Sequence, residues 1–364
     1  MSSRPLAAIV LAAGEGTRMR SSRPKPLHLL CGRAMVLYVL DALNDCQVDR
    51  AVVVVGHGAD RVTAKLLNAA PEAPLEFVEQ SVQRGTGDAV GVALTAFTAE
   101  ELDHAEADLL VLPGDTPLLR ASTIAELVRV HRETDAACTV LTADMVDPSG
   151  YGRVVRGRDD RVVRVVEHRD ASDAELAITE INTSIYCFRA SLLGPALRRI
   201  TPQNTQGEYY LTDVIEVLAE AGYRVSAVVA ADGAETSGVN DRLQLASAEA
   251  ELRRRTNEAW MRQGVTMVDP DRTYIDTTVE LAPDVTLFPD TMLQGNCVIG
   301  AGVRLGPNTH LVDSVIESGA FLEHTVGRRC RVGERAVIGP YAVLEDGSVI
   351  PPDARPGPFY TATT

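Results

Sequence analysis

From its start to about residue 240 the chain alternates short, β-branched apolar runs with longer amphipathic stretches. The runs predict strands at Ala7–Leu11, Ala51–Val55, Leu75–Val78, Leu109–Leu112, Ala137–Thr142, Ile181–Phe188 and Val225–Val229. Between the early ones, apolar residues recur at helical spacing over Ala34–Leu43, Asp60–Leu67, Gly87–Phe97 and Ser122–Arg132. Strands that are apolar almost throughout are buried on both faces. The pattern therefore predicts an α/β domain with a Rossmann-like, mainly parallel sheet covered by helices. Ligands of such sheets bind beyond the carboxyl ends of the strands, which directs attention to the loops after Leu11 and Leu112.

The pattern then changes twice. Asn240 to about Gly264 predicts one long polar helix, with Leu243, Leu245 and Leu252 facing a partner and Arg253–Arg255 in solvent. From Ile275 the apolar positions recur every six residues: Ile275, Leu281, Leu287, Leu293, Ile299, Leu305 and Leu311. A shorter step leads to Val315 and Phe321, and another to Val326, Val332, Ile338, Leu344 and Ile350. Gly or Pro often follows, as in I-G-A-G and L-G-P-N. A hexad of this kind predicts a short left-handed parallel β-helix of between four and five coils. Pro351, Pro352, Pro356 and Pro358 then predict a cap on the solenoid, since proline cannot continue a hydrogen-bonded ladder. The expected domains are residues 1–239, a linker arm helix at 240–264, and the β-helix at 265–364.

Composition narrows the function classes. With 364 residues and 45% hydrophobic content, the chain can bury one large core and a second module. The uncharged stretch from Pro5 to Gly14 is too short to span a bilayer and lacks the form of a secretory signal. The six scattered cysteines contain no C-x-x-C pair, and predict reduced thiols in a cytoplasmic protein rather than a zinc site or disulfides. A net charge of −15 argues against a nucleic-acid or anionic-membrane partner. Against that background Arg18, Arg20, Arg23 and Lys25 form a local cationic cluster. It reads equally as a solvated loop or as the counter-charge for a small anion. Lys25 and Lys65 are the only lysines among 35 basic residues, so an ammonium at position 25 suggests a contact too tight for a guanidinium.

The loop after Leu11 reads L-A-A-G-E-G-T-R-M and is followed by P-K-P-L. Its small residues Ala12, Ala13, Gly14 and Gly16 let backbone N–H groups approach phosphate or base atoms. Arg18 offers a fork and Lys25 a point charge. No G-x-x-x-x-G-K-[ST] is present, and Met19 takes the place of the third glycine of G-x-G-x-x-G, which disfavours a P-loop and a dinucleotide fold. Asp115, across Gly114 from the apolar run Leu109–Leu112, fits a turn as well as a metal ligand. Asn240 fits an N-cap as well as a ligand.

Taken together, the first two segments resemble the signature of the nucleoside-diphosphate-sugar pyrophosphorylases. Further along come Q-R-G-T-G-D-A, G-D-T-P-L, G-Y-G-R, V-E-H-R-D-A, E-I-N-T, Q-G-E-Y-Y-L-T-D and G-V-N-D-R-L-Q-L. In this order, ahead of hexapeptides, they resemble the bifunctional N-acetylglucosamine-1-phosphate uridyltransferase/glucosamine-1-phosphate acetyltransferase family over residues 6 to roughly 345. The resemblance implies nucleotide contacts at Leu11, Ala12, Ala13, Gly14, Gln80, Gly85, Thr86 and Gly114. It implies sugar contacts at Gly152, Glu167 and Asn182, catalytic roles for Arg18 and Lys25, and Mg2+ held by Asp115 and Asn240. One carboxylate and one amide oxygen, completed by phosphates and water, suit magnesium.

The implied reaction joins UTP and an N-acetylhexosamine-1-phosphate, with GlcNAc-1-phosphate expected and GalNAc-1-phosphate, glucose-1-phosphate or dTTP as alternatives. A nucleotide-sugar-binding subunit without turnover is the reading from another class, and the intact Arg18, Lys25, Asp115 and Asn240 argue against it. Three departures bear on the sugar pocket: Arg169 in place of lysine, Asn182-Thr183-Ser184 where a G-T-G-like run is usual, and Pro113 before Gly114-Asp115. Hexapeptide solenoids have flat faces that pack in threes, so a homotrimer is expected. Acetyl transfer is not expected. The arginine of I-G-P-F-A-x-L-R-P-G is Glu345 here, which would repel a sugar phosphate, and few coils are present.

Overall fold

The computed structural model describes residues 4–70, 73–103 and 107–363, so the outermost residues of the expected domains lie outside it. Two compact units emerge. One holds the described residues up to His28 together with Ala34–Gln244; the other holds Leu29–Arg33 and the described residues from Leu245 onward.

The first unit is built on nine strands: β1 (Leu6–Ala12), β2 (Arg50–Val55), β3 (Leu75–Glu79), β4 (Asp108–Pro113), β5 (Cys138–Asp144), β6 (Arg153–Arg156), β7 (Val162–Val166), β8 (Glu180–Arg189) and β9 (Val225–Val229). Seven of them lie in the order β9-β5-β8-β4-β1-β2-β3. All neighbours run parallel except β8, which is antiparallel to both β4 and β5. The period of two sorts the apolar runs onto two cores. Ile9 packs with Val52, Val54, Leu109 and Val111, while Val10 packs with Val53, Val55, Leu110 and Leu112 on the other face. Each such side chain, fully buried, contributes about 1.5–3 kcal/mol.

Strands β6 and β7 form a hairpin that the apolar pattern does not reveal, because five arginines punctuate R-V-V-R-G-R-D-D-R-V-V-R-V-V. Its first residue, Arg153, is almost wholly buried and pairs with Ile181 of β8. Strand β8 itself carries a bulge between Asn182 and Ile185, where Ser184 sits at φ 62°.

In the second unit, sixteen short parallel strands stack into three sheets of five, six and five strands, the walls of a left-handed β-helix. Five coils plus one strand exceed the four to five read from the hexads. The count differs at both ends: Met267 begins the stack ahead of Ile275, and the chain continues past the prolines. Thr361–Ala362 pairs with Val343–Leu344, and the Val337 N–H donates to the Ala354 carbonyl, so Pro351–Pro358 bridge a further coil instead of capping it.

The middle of the ladder is also shifted by one residue. Ile316, Leu322 and Gly327 point inward where Val315, Phe321 and Val326 were expected; Val326 is 44% exposed. In a strand, one residue of offset exchanges the two faces. Gly327 fills an inward position because Leu311 and Leu344 stack on either side of it. A Cβ there would lie 2.8 Å from Cys330 Sγ.

The arm helix spans Arg242–Arg262. Leu243, expected to be covered, is 81% exposed, and the buried positions are Ala248 and Asn257. Asn257 Nδ2 donates to the Pro270 and Thr273 carbonyls, and Trp260 and Met261 pack on the coil core. Arg253 and Arg255 are half-buried rather than solvated: one guanidinium lies 4.7 Å above the Tyr274 ring and the other bonds Glu251.

Candidate active site

The residues expected to contact nucleotide, sugar or metal or to act in catalysis all line a single cleft of about 530 Å³ in the first unit, whereas Arg20 and Arg23 of the cationic cluster are exposed and are not part of its lining. Its floor is the carboxyl end of β1 and β4. Leu11 and Ala12 end β1 and Ala13 and Gly14 continue it, while Gly114 and Asp115 continue β4. A Cβ on Gly14 would meet no protein atom within 4 Å, so the glycine leaves free space rather than relieving a clash. Gly16 is different. It sits at φ 64°, and a Cβ there would be 2.7 Å from the Lys25 Cβ, so glycine is what lets the loop close on the lysine.

At the centre Lys25 Nζ donates to Asp115 Oδ2 and, at 2.8 Å, to Asn240 Oδ1. Arg18 donates to the same Asn240 oxygen at 2.9 Å. The lysine side chain is 13% exposed and the aspartate 21%, so the pair is shielded but open to a ligand. Asn240 is not the helix cap. Asp241 accepts from the Gln244 N–H at 2.8 Å, and Gln244 accepts from the Asn240 N–H at 2.7 Å. That arrangement leaves the Asn240 carboxamide for the cleft.

One end of the cleft is the Gln80–Thr86 loop. Gln80 is 5% exposed, and its amide donates to the Gly85 carbonyl and to Asp88. Gln83, which opens Q-R-G-T-G-D-A and carries no chemical signal of its own, donates to the Ala13 carbonyl at 2.6 Å and ties the loop to β1.

The opposite end is carried by the β6–β7 hairpin. Gly152 precedes β6 and Glu167 follows β7, so pairing of Arg153 with Val166 sets them side by side. Burial pushes the Glu167 carboxyl above the usual range, and Thr212 Oγ1 donates to it at 3.1 Å. Asn182 Nδ2 donates to the Tyr186 hydroxyl at 2.8 Å, with its Oδ1 accepting from the Ser184 N–H. Arg169, the departure from lysine, is exposed and outside the cleft wall; Pro113 is part of that wall.

The segment Tyr209–Thr212 joins the two ends. Its Tyr209 carbonyl accepts from the Gly87 N–H, its Leu211 N–H donates to Thr86 Oγ1, and its Thr212 hydroxyl reaches Glu167. In the sequence this motif carries the resemblance but no role. Tyr151, Ser149, Thr236 and Glu208 also line the cleft, and no local signal singles them out. Burial raises the Tyr151 phenol, whose hydroxyl is bonded by Ser237.

A cleft at the strand ends, with a glycine loop, two cations, one carboxylate and a carboxamide, defines a nucleotidyltransferase, and residues 8–210 match the MobA-like NTP transferase domain. Over its length the chain is 44% identical to the bifunctional protein GlmU of Halalkalibacterium halodurans, covering 97% of this chain and 75% of that protein. The Streptomyces coelicolor protein of the same name is 44% identical over 99% of this chain and 73% of its own length; that of an Exiguobacterium species is 46% identical over 97% and 76%. The chain belongs to the GlmU family of nucleotidyltransferases. Among the described residues no helix is long and apolar enough to cross a membrane.

Proposed function

We propose that the chain transfers UMP from UTP to N-acetylglucosamine-1-phosphate, giving UDP-N-acetylglucosamine and pyrophosphate. The observation that carries this reading is the placement of Arg18, Lys25, Asp115 and Asn240 midway between Gln80 at one end of the cleft and Glu167 and Asn182 at the other. A nucleotide base at the first end and a sugar at the second bring their phosphates together over the charged cluster.

The sugar phosphate oxygen is already an anion, so no general base is needed. It forms a bond to the α-phosphorus as the bond to the bridging oxygen breaks, and pyrophosphate leaves with that electron pair. Positioning and charge neutralisation supply the rate. Asp115 and Asn240 are gathered around one cation in this structure, the Lys25 ammonium, and so present the oxygen pair that Mg2+ would take. When bound there, the ion neutralises charge on the phosphates. With Asn240 so engaged, Lys25 and Arg18 would be released toward phosphate oxygens, with Lys25 near the α-phosphate and Arg18 on the pyrophosphate side. Glu167 accepts from sugar hydroxyls, and Asn182 meets the acetamido group.

A coupled pyrophosphate-release assay with UTP or dTTP and a panel of sugar phosphates tests this reading. We expect the highest kcat/KM for UTP with GlcNAc-1-phosphate. Faster turnover of glucose-1-phosphate or GalNAc-1-phosphate would reassign the substrate.

Two further features belong to this reading. The outward residues of the six-stranded sheet include Tyr274, Met292, His310, Val326 and Val343 in register, a mainly apolar row suited to packing copies into a homotrimer. Glu345 is exposed on the coils, where it would repel a sugar phosphate, so no glucosamine-1-phosphate acetyl transfer is expected from these residues. Light scattering checks the first. Thiol release from acetyl-CoA in the presence of glucosamine-1-phosphate checks the second.

A further inference from the structure

Gln80 is buried at the nucleotide end of the cleft, and a carboxamide can present either its donor or its acceptor to a base. Here the choice is made by its neighbours. The Gln80 nitrogen lies 3.2 Å from the Gly85 carbonyl oxygen and 2.8 Å from Asp88 Oδ2. Neither group can donate, because one is a carbonyl and the other a carboxylate. Turning the amide over would set its oxygen against two acceptors in a buried site, so the nitrogen is held inward. Among the described residues no donor reaches Gln80 Oε1, and that oxygen is not among the buried unpaired atoms. It is the atom left open to the cleft.

Asp88 is itself held. Its side chain is 12% exposed, and Arg84 bonds its second oxygen, Oδ1, at 2.8 Å. The aspartate thus has one oxygen for an arginine four residues upstream, ahead of the helix, and the other for Gln80.

Resting on the uridyltransferase reading, we propose that Asp88 is a positioning residue for base selection: by taking one N–H of Gln80 it fixes that amide with its oxygen toward the base. A fixed acceptor matches the N3–H of uracil or thymine. Cytosine presents an acceptor at that atom, and a freely turning amide would accommodate both.

The test measures UTP and CTP with wild type, Asp88→Asn, Gln80→Ala and the double variant, by calorimetric binding and by pyrophosphate release. The carboxamide introduced by Asp88→Asn can accept from or donate to Gln80, so it removes the nearer of the two obligate acceptors and leaves only the 3.2 Å Gly85 carbonyl to oppose turning, while keeping the side chain's size. We expect Asp88→Asn to reduce the UTP:CTP affinity ratio about tenfold, the effect of one directed hydrogen bond, chiefly by improving CTP. On the Gln80→Ala background the same substitution should leave the ratio unchanged. A ratio within twofold of wild type in Asp88→Asn, or an equal change with and without Gln80, overturns the assignment. A wild-type protein that binds UTP but releases no pyrophosphate with any sugar phosphate would instead overturn the catalytic reading, with the binding ratio still deciding the role of Asp88.

Discussion

The two units of this molecule satisfy their polar groups over different distances along the chain. In the cleft, Arg18 and Lys25 bond an asparagine 222 and 215 residues away, Lys25 an aspartate 90 away, and Thr86 a backbone N–H 125 away. In the coils, buried Thr273, Thr291 and Thr325 bond carbonyls four, three and two residues upstream. Their surface ion pairs, Arg272–Asp290, Arg329–Asp346 and Arg335–Asp353, reach only to the next coil, 17 or 18 residues on. Function is thus concentrated where the chain must close long loops, and the costs of that closure are met by two shared cores. The coils, whose contacts are with near neighbours apart from the bonds of Thr277 to the Cys31 carbonyl 246 residues away, can carry stability without touching the chemistry.

The largest expected effect would break that contrast if it failed. Asp115→Asn should lower kcat about 10²–10³-fold while circular dichroism and thermal midpoint stay near wild type. A loss of folding in step with activity would show that the long-range cluster is structural. Next, Leu305→Ala in the coil core, where Leu305 is fully buried between Leu287 and Leu322, should cost about 2–5 kcal/mol in the denaturant transition of the second unit. Its kcat should not move; a parallel fall in turnover would join the two units energetically. Gly14→Ala places a methyl in free space, so stability should change little while KM for the nucleotide rises about tenfold, roughly one lost close contact.

Smaller effects sharpen the picture. Ser184→Gly should stabilise the first unit by about 1 kcal/mol by removing a side chain from the left-handed region at the β8 bulge. Last, burial and the neighbouring Glu216 and Asp170 push the Asp213 carboxyl up to about 6. Its folded value thus exceeds the unfolded one of about 3.9. The folded state holds this proton longer, so the contribution of Asp213 to stability falls as pH rises from about 4 to 6. Asp213→Asn should therefore raise the thermal midpoint at pH 8 and leave it unchanged at pH 3. Equal shifts at both values would assign the effect to packing.

What can be read along the chain follows the same division. The strands of the main sheet are legible within one or two residues because burial on both faces leaves uninterrupted apolar runs. The β6–β7 hairpin is not, since Arg153 is buried yet spells surface, and local composition cannot say which arginines turn inward. Hexads make the coils legible except at Ile316, Leu322 and Gly327, where the step from Leu311 is five residues rather than four and the apolar signal vanishes at the glycine. Asn240 is ambiguous from sequence because Asn and Asp both cap helices, and only the Asp241–Gln244 bond shows which does. The cleft residues were found through recurring motifs; nothing in the local sequence of Asp88 or Tyr209 announces what it holds across the fold.

The stacked threonines of the coils carry one more consequence. The hydroxyls of Thr273, Thr291 and Thr325 close on carbonyls a few residues upstream, while Thr291 and Thr309 also reach the Leu305 and Leu322 carbonyls of the next coil, so a coil asks of its neighbour little beyond a flat surface, a row of backbone partners and an ion pair. The solenoid then behaves as a one-dimensional chain of nearly independent units, in which stability is a sum over turns and their interfaces. Opening should travel one turn at a time, and amide exchange would show it as protection graded from coil to coil, a zipper rather than a single cooperative block.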